Sequence, residues 1–209
     1  KLKEAPQNAE ILHYEPSYTE ALRDKGEAVY QMSDGTFRKT KLKQAQKMSR
    51  DVLFIERNLD FLKDGGRMAI VLPQGRFNNS SDKYVREYIA EHCRILAVVG
   101  LHGNVFKPHT GTKTSVLFVQ KWHPELCPKV DDYPIFFATM QEPSKDNSGD
   151  KIYRGTQNEQ GETIPLLDEH GHLVVKHDLF NHDGLTQDGI AEAFIEFAKK
   201  EKFSFVGKD

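Results

Sequence analysis

Two short, uninterrupted apolar runs, residues 68–72 and 95–99, flank an amphipathic stretch, and this spacing constrains the chain more than any other feature. A continuous apolar run of that length suits a strand covered on both faces. Between the runs, Ser81-Asp82 starts a helix in which Val85, Tyr88, Ile89 and His92 make one face. A strand, a helix of about 12 residues and a strand predict a parallel, right-handed β-α-β unit. A third apolar run, residues 115–119, returns after the loop 103–113. That loop is too short for a helical crossover, so the third strand should run antiparallel to the second. Together the runs look like the second half of an open α/β sheet.

The flanking segments read differently. Residues 1–48 are polar, with turn signals at Glu15-Pro16-Ser17 and Ser33-Asp34-Gly35, and read as an irregular basic arm or lid with at most short helices. Residues 38–50 hold six basic residues and no acidic one, a run that could follow phosphates, line a solvated helix face or form a disordered arm. Ser49 is placed to cap a helix carrying Val52, Ile55, Leu59 and Leu62 at helical spacing, which Asp64-Gly65-Gly66 stops. Residues 49–123 form the body.

Residues 124–209 read as an acidic extension with a long polar loop over 141–163 and a docking helix marked by Ile190, Phe194, Phe197 and Ala198. Residues 135–138 suit a further strand. Charge follows the same division: residues 1–123 hold 20 Lys and Arg against 14 Asp and Glu, and residues 124–209 hold 9 against 17. A basic front and an acidic back suggest different partners.

No run approaches the roughly 18 apolar residues of a membrane span, so no membrane partner is expected. Cys93 and Cys127 lack any partner spacing and suit a reduced, cytoplasmic protein with one buried and one incidental thiol. His170 and His172 have metal-like spacing, but no ligand cluster accompanies them, and no metal is expected. Gly111-Thr112-Lys113-Thr114 lacks the upstream Gly of a phosphate loop and precedes a strand. A nicotinamide-dependent oxidoreductase needs a Gly-x-Gly-x-x-Gly turn, which does not occur.

The wording of the body carries a resemblance. Leu53-Phe54-Ile55-Glu56-Arg57, then Leu62-Lys63-Asp64-Gly65-Gly66-Arg67-Met68-Ala69-Ile70-Val71-Leu72-Pro73, resembles the methylation subunit of type I restriction-modification systems, the N6-adenine DNA methyltransferases. The likeness continues through Phe77-Asn78-Asn79, Tyr84-Val85-Arg86-Glu87-Tyr88-Ile89, residues 105–115, and Ala193-Phe194 before Phe203-Ser204-Phe205. The resemblance implies the C-terminal half of a Rossmann-like S-adenosylmethionine-dependent methyltransferase sheet with a C-terminal helical extension. It implies S-adenosylmethionine as cofactor, and as partners DNA, a specificity subunit and a restriction subunit.

The departures bear on activity. The family's Gly-rich cofactor turn is absent before Gly65, and no Asn-Pro-Pro-Phe-type motif occurs. That motif polarises the adenine amino group, whose lone pair is delocalised into the ring. The chain also opens at Lys1 rather than Met. It is therefore expected to be a piece of the subunit with no catalysis and little cofactor affinity of its own, and no residue is assigned a catalytic or cofactor-binding role. The missing half should pair at residues 68–72, so the isolated chain is expected to self-associate or to be poorly stable.

Ligands of open α/β sheets bind beyond the carboxyl ends of the strands. The resemblance therefore puts Pro73, Phe77, Asn78 and Asn79 near a base extruded from the duplex. There Phe77 stacks and Asn78 hydrogen-bonds, or Phe77 packs under the loop and Asn78 caps the next helix. The loop 103–113 mixes Phe106 with Lys107, His109 and Lys113, either as a nucleic-acid contact or as a hairpin loop with Phe106 tucked inward. A non-catalytic module that holds DNA or a partner subunit on the same half-sheet is the alternative.

Overall fold

The computed structural model of the chain describes residues 9–11, 27–32, 37–43 and 50–206, the first three segments as backbone. The chain divides into two compact units, residues 1–54 and residues 55–209. In the first, strands β1 (Ala9–Ile11), β2 (Glu27–Met32) and β3 (Phe37–Lys43) pair antiparallel in the order β1-β2-β3. Ala9 faces Met32 and Gln31 faces Phe37 in register. The irregular, at most briefly helical stretch expected over 1–48 is corrected here. β2 and β3 flank Ser33-Asp34-Gly35, whose turn chemistry suits a hairpin, and the first part of the basic run is strand β3.

The second unit is built on a mixed sheet. Helix α1 (Arg50–Phe61), which runs across the division at residue 54, begins one residue after Ser49, which lies outside the described residues. It buries Val52, Ile55 and Leu59, while Phe54 and Phe61 stay exposed. Gly65 then turns the chain at φ +73°, a left-handed conformation that favours glycine. Strand β4 (Arg67–Pro73) leads through a one-turn helix, α2 (Gly75–Asn78), and a 3₁₀ turn (Ser80–Asp82) into α3 (Lys83–His92). α3 buries Val85 and Ile89. Tyr88 packs against His92 in a tilted arrangement with ring centroids 4.4 Å apart. Burial, with Glu56 and Asp60 of α1 adding to it, pushes the Tyr88 hydroxyl up to about 12.

Strands β5 (Cys93–Gly100) and β6 (Thr114–Lys121) complete the expected sequence, and β7 (Phe136–Thr139) adds an edge parallel to β5. The strand order is β4-β6-β5-β7, with β6 antiparallel to both of its neighbours. β4 and β5 therefore run parallel, as the β-α-β spacing requires, yet share no hydrogen bond, because β6 is inserted between them. Among the described residues β4 is an edge strand, as the half-sheet reading expects, but its apolar run is not covered on both faces: only Leu72 is buried and Val71 is 47% exposed. Gln74 N–H donates to the Lys113 carbonyl (3.0 Å) and Gly66 C=O accepts from Lys121 (2.8 Å). The alternation of an extended strand then turns the N–H groups of Arg67, Ala69 and Val71 away from β6.

A β-bulge between Ile95 and Ala97 lets Leu96 and Ala97 both be buried, a feature that periodicity did not reveal. Helix α4 (Ile190–Lys200) docks where expected. Phe194 packs on Phe118 and Phe136, and Ala198 and Phe203 are buried with Leu96. Burial of a side chain such as Phe203 contributes about 1.5–3 kcal/mol. Arg94 lies 4.7 Å over the Phe203 ring and Arg67 lies 4.5 Å over Phe205, adding cation–π contacts. A cavity of about 370 Å³ remains between α4 and the sheet, lined by Val99, Val116, Leu179, Ile190 and Phe194 among others.

The polar excursion expected over 141–163 has more order than its composition suggests. It holds strand β8 (Gly155–Gln157), which pairs with β9 (Thr163–Pro165) at its far end, and Arg154, which joins Leu166 and Val174 beyond it in a closed ring of three backbone bonds. Arg154 N–H donates to Val174, Val174 N–H to Leu166, and Leu166 N–H to Arg154. The incidental thiol is also corrected. Both cysteines are buried and free, and burial pushes both thiols up, Cys93 to about 12. Burial that disfavours the thiolate makes neither cysteine a ready nucleophile.

The lead into α4 contains a histidine pair, the buried His177 and the half-buried His182. His177 accepts the Leu179 N–H on Nδ1 (3.2 Å), so its proton sits on Nε2, which donates to His182 Nε2 (2.9 Å). Burial, with His182 and Arg154 nearby, holds His177 below its ordinary value of 6.5. The folded state thus binds a proton less readily than the unfolded chain. Its stabilisation is complete above pH 6.5 and declines as pH falls through the folded value. The thermal midpoint should therefore drop between about pH 7.5 and about pH 5.5, and His177→Gln should flatten that slope. A midpoint constant over this window in the wild-type chain would contradict the assignment.

Candidate nucleic-acid interface

The sheet topology brings four strand ends to one rim. Pro73 pairs in register with Thr114, and Gly100 with both Ser115 and Thr139. Two backbone bonds close the rim, Gln74 N–H to Lys113 C=O (3.0 Å) and Leu101 N–H to Thr114 C=O (2.9 Å). The carboxyl ends of β4, β5 and β7 thus lie together, and the loops 74–82 and 101–113 both rise from them.

Loop 74–82 is short and fully cross-braced. Phe77 N–H donates to Gln74 C=O, and Asn79 N–H to Gly75 C=O. Arg86, one turn into α3, donates from Nη1 to the carbonyls of Arg76 (3.1 Å) and Asn79 (2.9 Å). Arg76 in turn pairs with the buried Asp82 carboxylate at 2.9 Å. These bonds leave Pro73, Asn78 and Asn79 exposed and Phe77 half-buried. The Asn79 side chain makes no cap hydrogen bond to the turn that follows, and Asp82 makes none to α3.

Loop 101–113 is braced from farther along the chain. Asn104 N–H donates to His102 Nδ1 (3.2 Å), and Asn104 Nδ2 to the carbonyl of Lys145 (3.0 Å). Lys145 Nζ donates to the Lys107 carbonyl at 2.8 Å. Gly149 lies so close to Pro108 that a Cβ there would meet it at 2.5 Å, and its φ is +101°. The Lys107–Pro108 peptide is cis. Phe106 is 38% exposed, so it is not tucked inward. His109 and Lys113 are exposed, and Lys107 is half-buried. Among the described residues no ion pair engages Lys107 or Lys113.

The structure therefore unites Pro73 and Lys113 at the rim. Among the described residues, no hydrogen bond or ring contact links Phe77, Asn78 or Asn79 to Phe106, Lys107 or His109. Sequence reasoning missed the braces Arg76, Asp82, Arg86, Asn104 and Lys145. Arg86 stood within the quoted Tyr84-Val85-Arg86 wording, but nothing in its spacing marks a reach to two loop carbonyls. Lys145 is separated from Lys107 by 38 positions.

The chemistry on offer is an aromatic ring, exposed carboxamides and free ammonium groups, a set suited to stacking, base-edge hydrogen bonds and phosphates. Among the described residues, no group of three or more His, Cys, Asp or Glu is arranged to hold a metal. His170 and His172 are exposed on a turn whose backbone N–H groups bond to Asp168. Those two bonds hold the Asp168 carboxyl below the usual range. No described helix is long and apolar enough to cross a membrane.

The family model for N-6 DNA methylases matches residues 4–164. The type I restriction enzyme EcoEI methylase subunit of Escherichia coli is 37% identical over 73 residues, which are 34% of this chain and 15% of that protein. A solved structure described as a class I S-adenosylmethionine-dependent methyltransferase, from Listeria monocytogenes, is 23% identical with a TM-score of 0.39, covering 48% of this chain and 30% of that one. A structure of a type I restriction-modification system is 17% identical with a TM-score of 0.39, covering 81% of this chain and 28% of that one. This chain thus spans a third or less of the proteins it resembles. Because the family match takes in well over half of its residues, the chain belongs to the N-6 DNA methylase family.

Proposed function

We propose that this chain forms part of a type I restriction-modification methyltransferase subunit that methylates N6 of adenine in DNA. The observation that carries the reading is the family match over residues 4–164, taken with the two braced loops at the carboxyl rim. Phe77 offers its half-buried ring to an extruded base, and Asn78 and Asn79 offer carboxamides to its edge. Lys107, His109 and Lys113 contact phosphates, and Phe106 supports an unstacked nucleotide. The partners are DNA, a specificity subunit that reads the sequence and a restriction subunit, in the cytoplasm. The matched EcoEI protein is named as a methylase subunit of such an enzyme.

S-adenosylmethionine supplies the methyl group when bound. The described residues at this rim do not suit it. No glycine-rich turn joins a strand to a helix, and the one acid of loop 74–82, Asp82, is buried and paired with Arg76. No step is therefore assigned to cofactor contacts of this chain. The alternative reading, a module that binds DNA or a subunit without catalysis, rests on the same misfit.

The test is made on the complete protein that carries this segment, assembled with its specificity subunit. Duplex DNA treated with S-adenosylmethionine and digested to nucleosides should yield N6-methyladenine. Methylated cytosine, or no product, would overturn the enzymatic reading. Replacing Lys107 and Lys113 together with Ala should weaken DNA binding at every sequence. The slope of log affinity against log salt should fall by roughly 2, because about one counterion is released per phosphate contact. An unchanged slope would remove the phosphate role of these lysines.

A further inference from the structure

We propose that Arg86 is a positioning residue for methyl transfer, a clamp that presets the loop presenting Phe77, Asn78 and Asn79. This rests on the reading that loop 74–82 faces the target base. A one-turn helix such as α2 cannot satisfy its own terminal carbonyls, which must find partners outside the turn. The Gln74 and Gly75 carbonyls are taken by N–H groups of the loop itself. The Arg76 carbonyl is met by Arg86 Nη1, and the Asn79 carbonyl by Arg86 Nη1 and the Asp82 N–H.

These two carbonyls bracket the presented residues. A single guanidinium nitrogen holding both therefore fixes the backbone on each side of Phe77 and Asn78. The Arg76–Asp82 pair closes the loop a second time from the opposite partner, with Asp82 only 7% exposed. Arg86 itself is anchored on α3, whose neighbours Val85 and Ile89 are in the core. The clamp thus couples the loop to the rigid body rather than to solvent. Arginine suits the task because its planar group keeps its donors in fixed directions, whereas a lysine ammonium is a flexible point donor. Substrate-positioning groups of this kind act on the rate, since small displacements of reacting groups are costly.

The experiment uses the complete methyltransferase with its partner subunits. It measures kcat, KM for DNA, fluorescence of 2-aminopurine at the target position and the thermal midpoint. Arg86→Met should lower kcat by about 10²-fold and reduce the base-extrusion signal, while KM for DNA and the midpoint stay near wild type. Arg86→Lys should recover part of the rate by restoring one donor. Wild-type kcat in Arg86→Met would overturn the proposal. So would a rate loss matched by a fall in midpoint or in DNA affinity, which marks a merely structural role. Phe77→Ala separates the two layers. If it leaves kcat and fluorescence unchanged, the loop does not face the base. If it impairs both while Arg86→Met behaves as wild type, only the clamp fails.

Discussion

The insertion of β6 between β4 and β5 is the constraint on which the second unit depends. β6 forms the full ladder to each neighbour, from Arg67↔Gln120 to Pro73↔Thr114 on one side and from Cys93↔Lys121 to Gly100↔Ser115 on the other. Its inward residues Leu117 and Val119 are almost fully buried, and Phe118 on the opposite face receives α4 through Phe194. Because β6 runs against both neighbours, its amino end meets their carboxyl ends. The loops 74–82 and 101–113 are therefore forced to rise from one rim. The site is a consequence of strand order before it is a matter of individual side chains.

That rim is built with little slack. Each of its two loops is short and held by side chains reaching in from elsewhere, Arg86 from α3 and Lys145 from the segment beyond β7. Residues available for contact, Asn78, Asn79, His109 and Lys113, are left exposed while the backbone beneath them is fixed. A surface of this kind presents polar groups at low entropic cost, which is what recognition of an extruded base or a phosphate track demands. The acidic half of the chain lies elsewhere in sequence, and its histidine pair and closed backbone ring serve the packing of α4 and its lead-in.

Much of this was legible because it depends on local periodicity. α1, β4, α3, β5, β6 and α4 follow from apolar spacing and from turn chemistry at Gly65 and Ser81-Asp82. The antiparallel direction of β6 followed from loop length alone. What escaped was what depends on non-local pairing. The strands β1 to β3 have no strong apolar alternation, so their pairing is decided by partners distant in sequence. The Leu96 bulge shifts a register that period counting assumes constant. That Pro73 ends β4 and that a loop before Thr114 joins β5 to β6 was legible from the bounds of the apolar runs. The braces were not, because Arg86 and Lys145 bind backbone carbonyls whose positions exist only after folding.

The order β4-β6-β5-β7 puts the two loops on one rim. Native-state amide hydrogen exchange resolved by residue tests it most directly. Val116 to Val119 of β6, bonded on both sides, should exchange slowest. The N–H groups of Ala69 and Val71, turned away from β6, should exchange much faster than those of Ile70 and Leu72 in the monomeric chain. Uniform protection along β4, or β6 amides exchanging on one face as fast as an edge strand, would contradict that order.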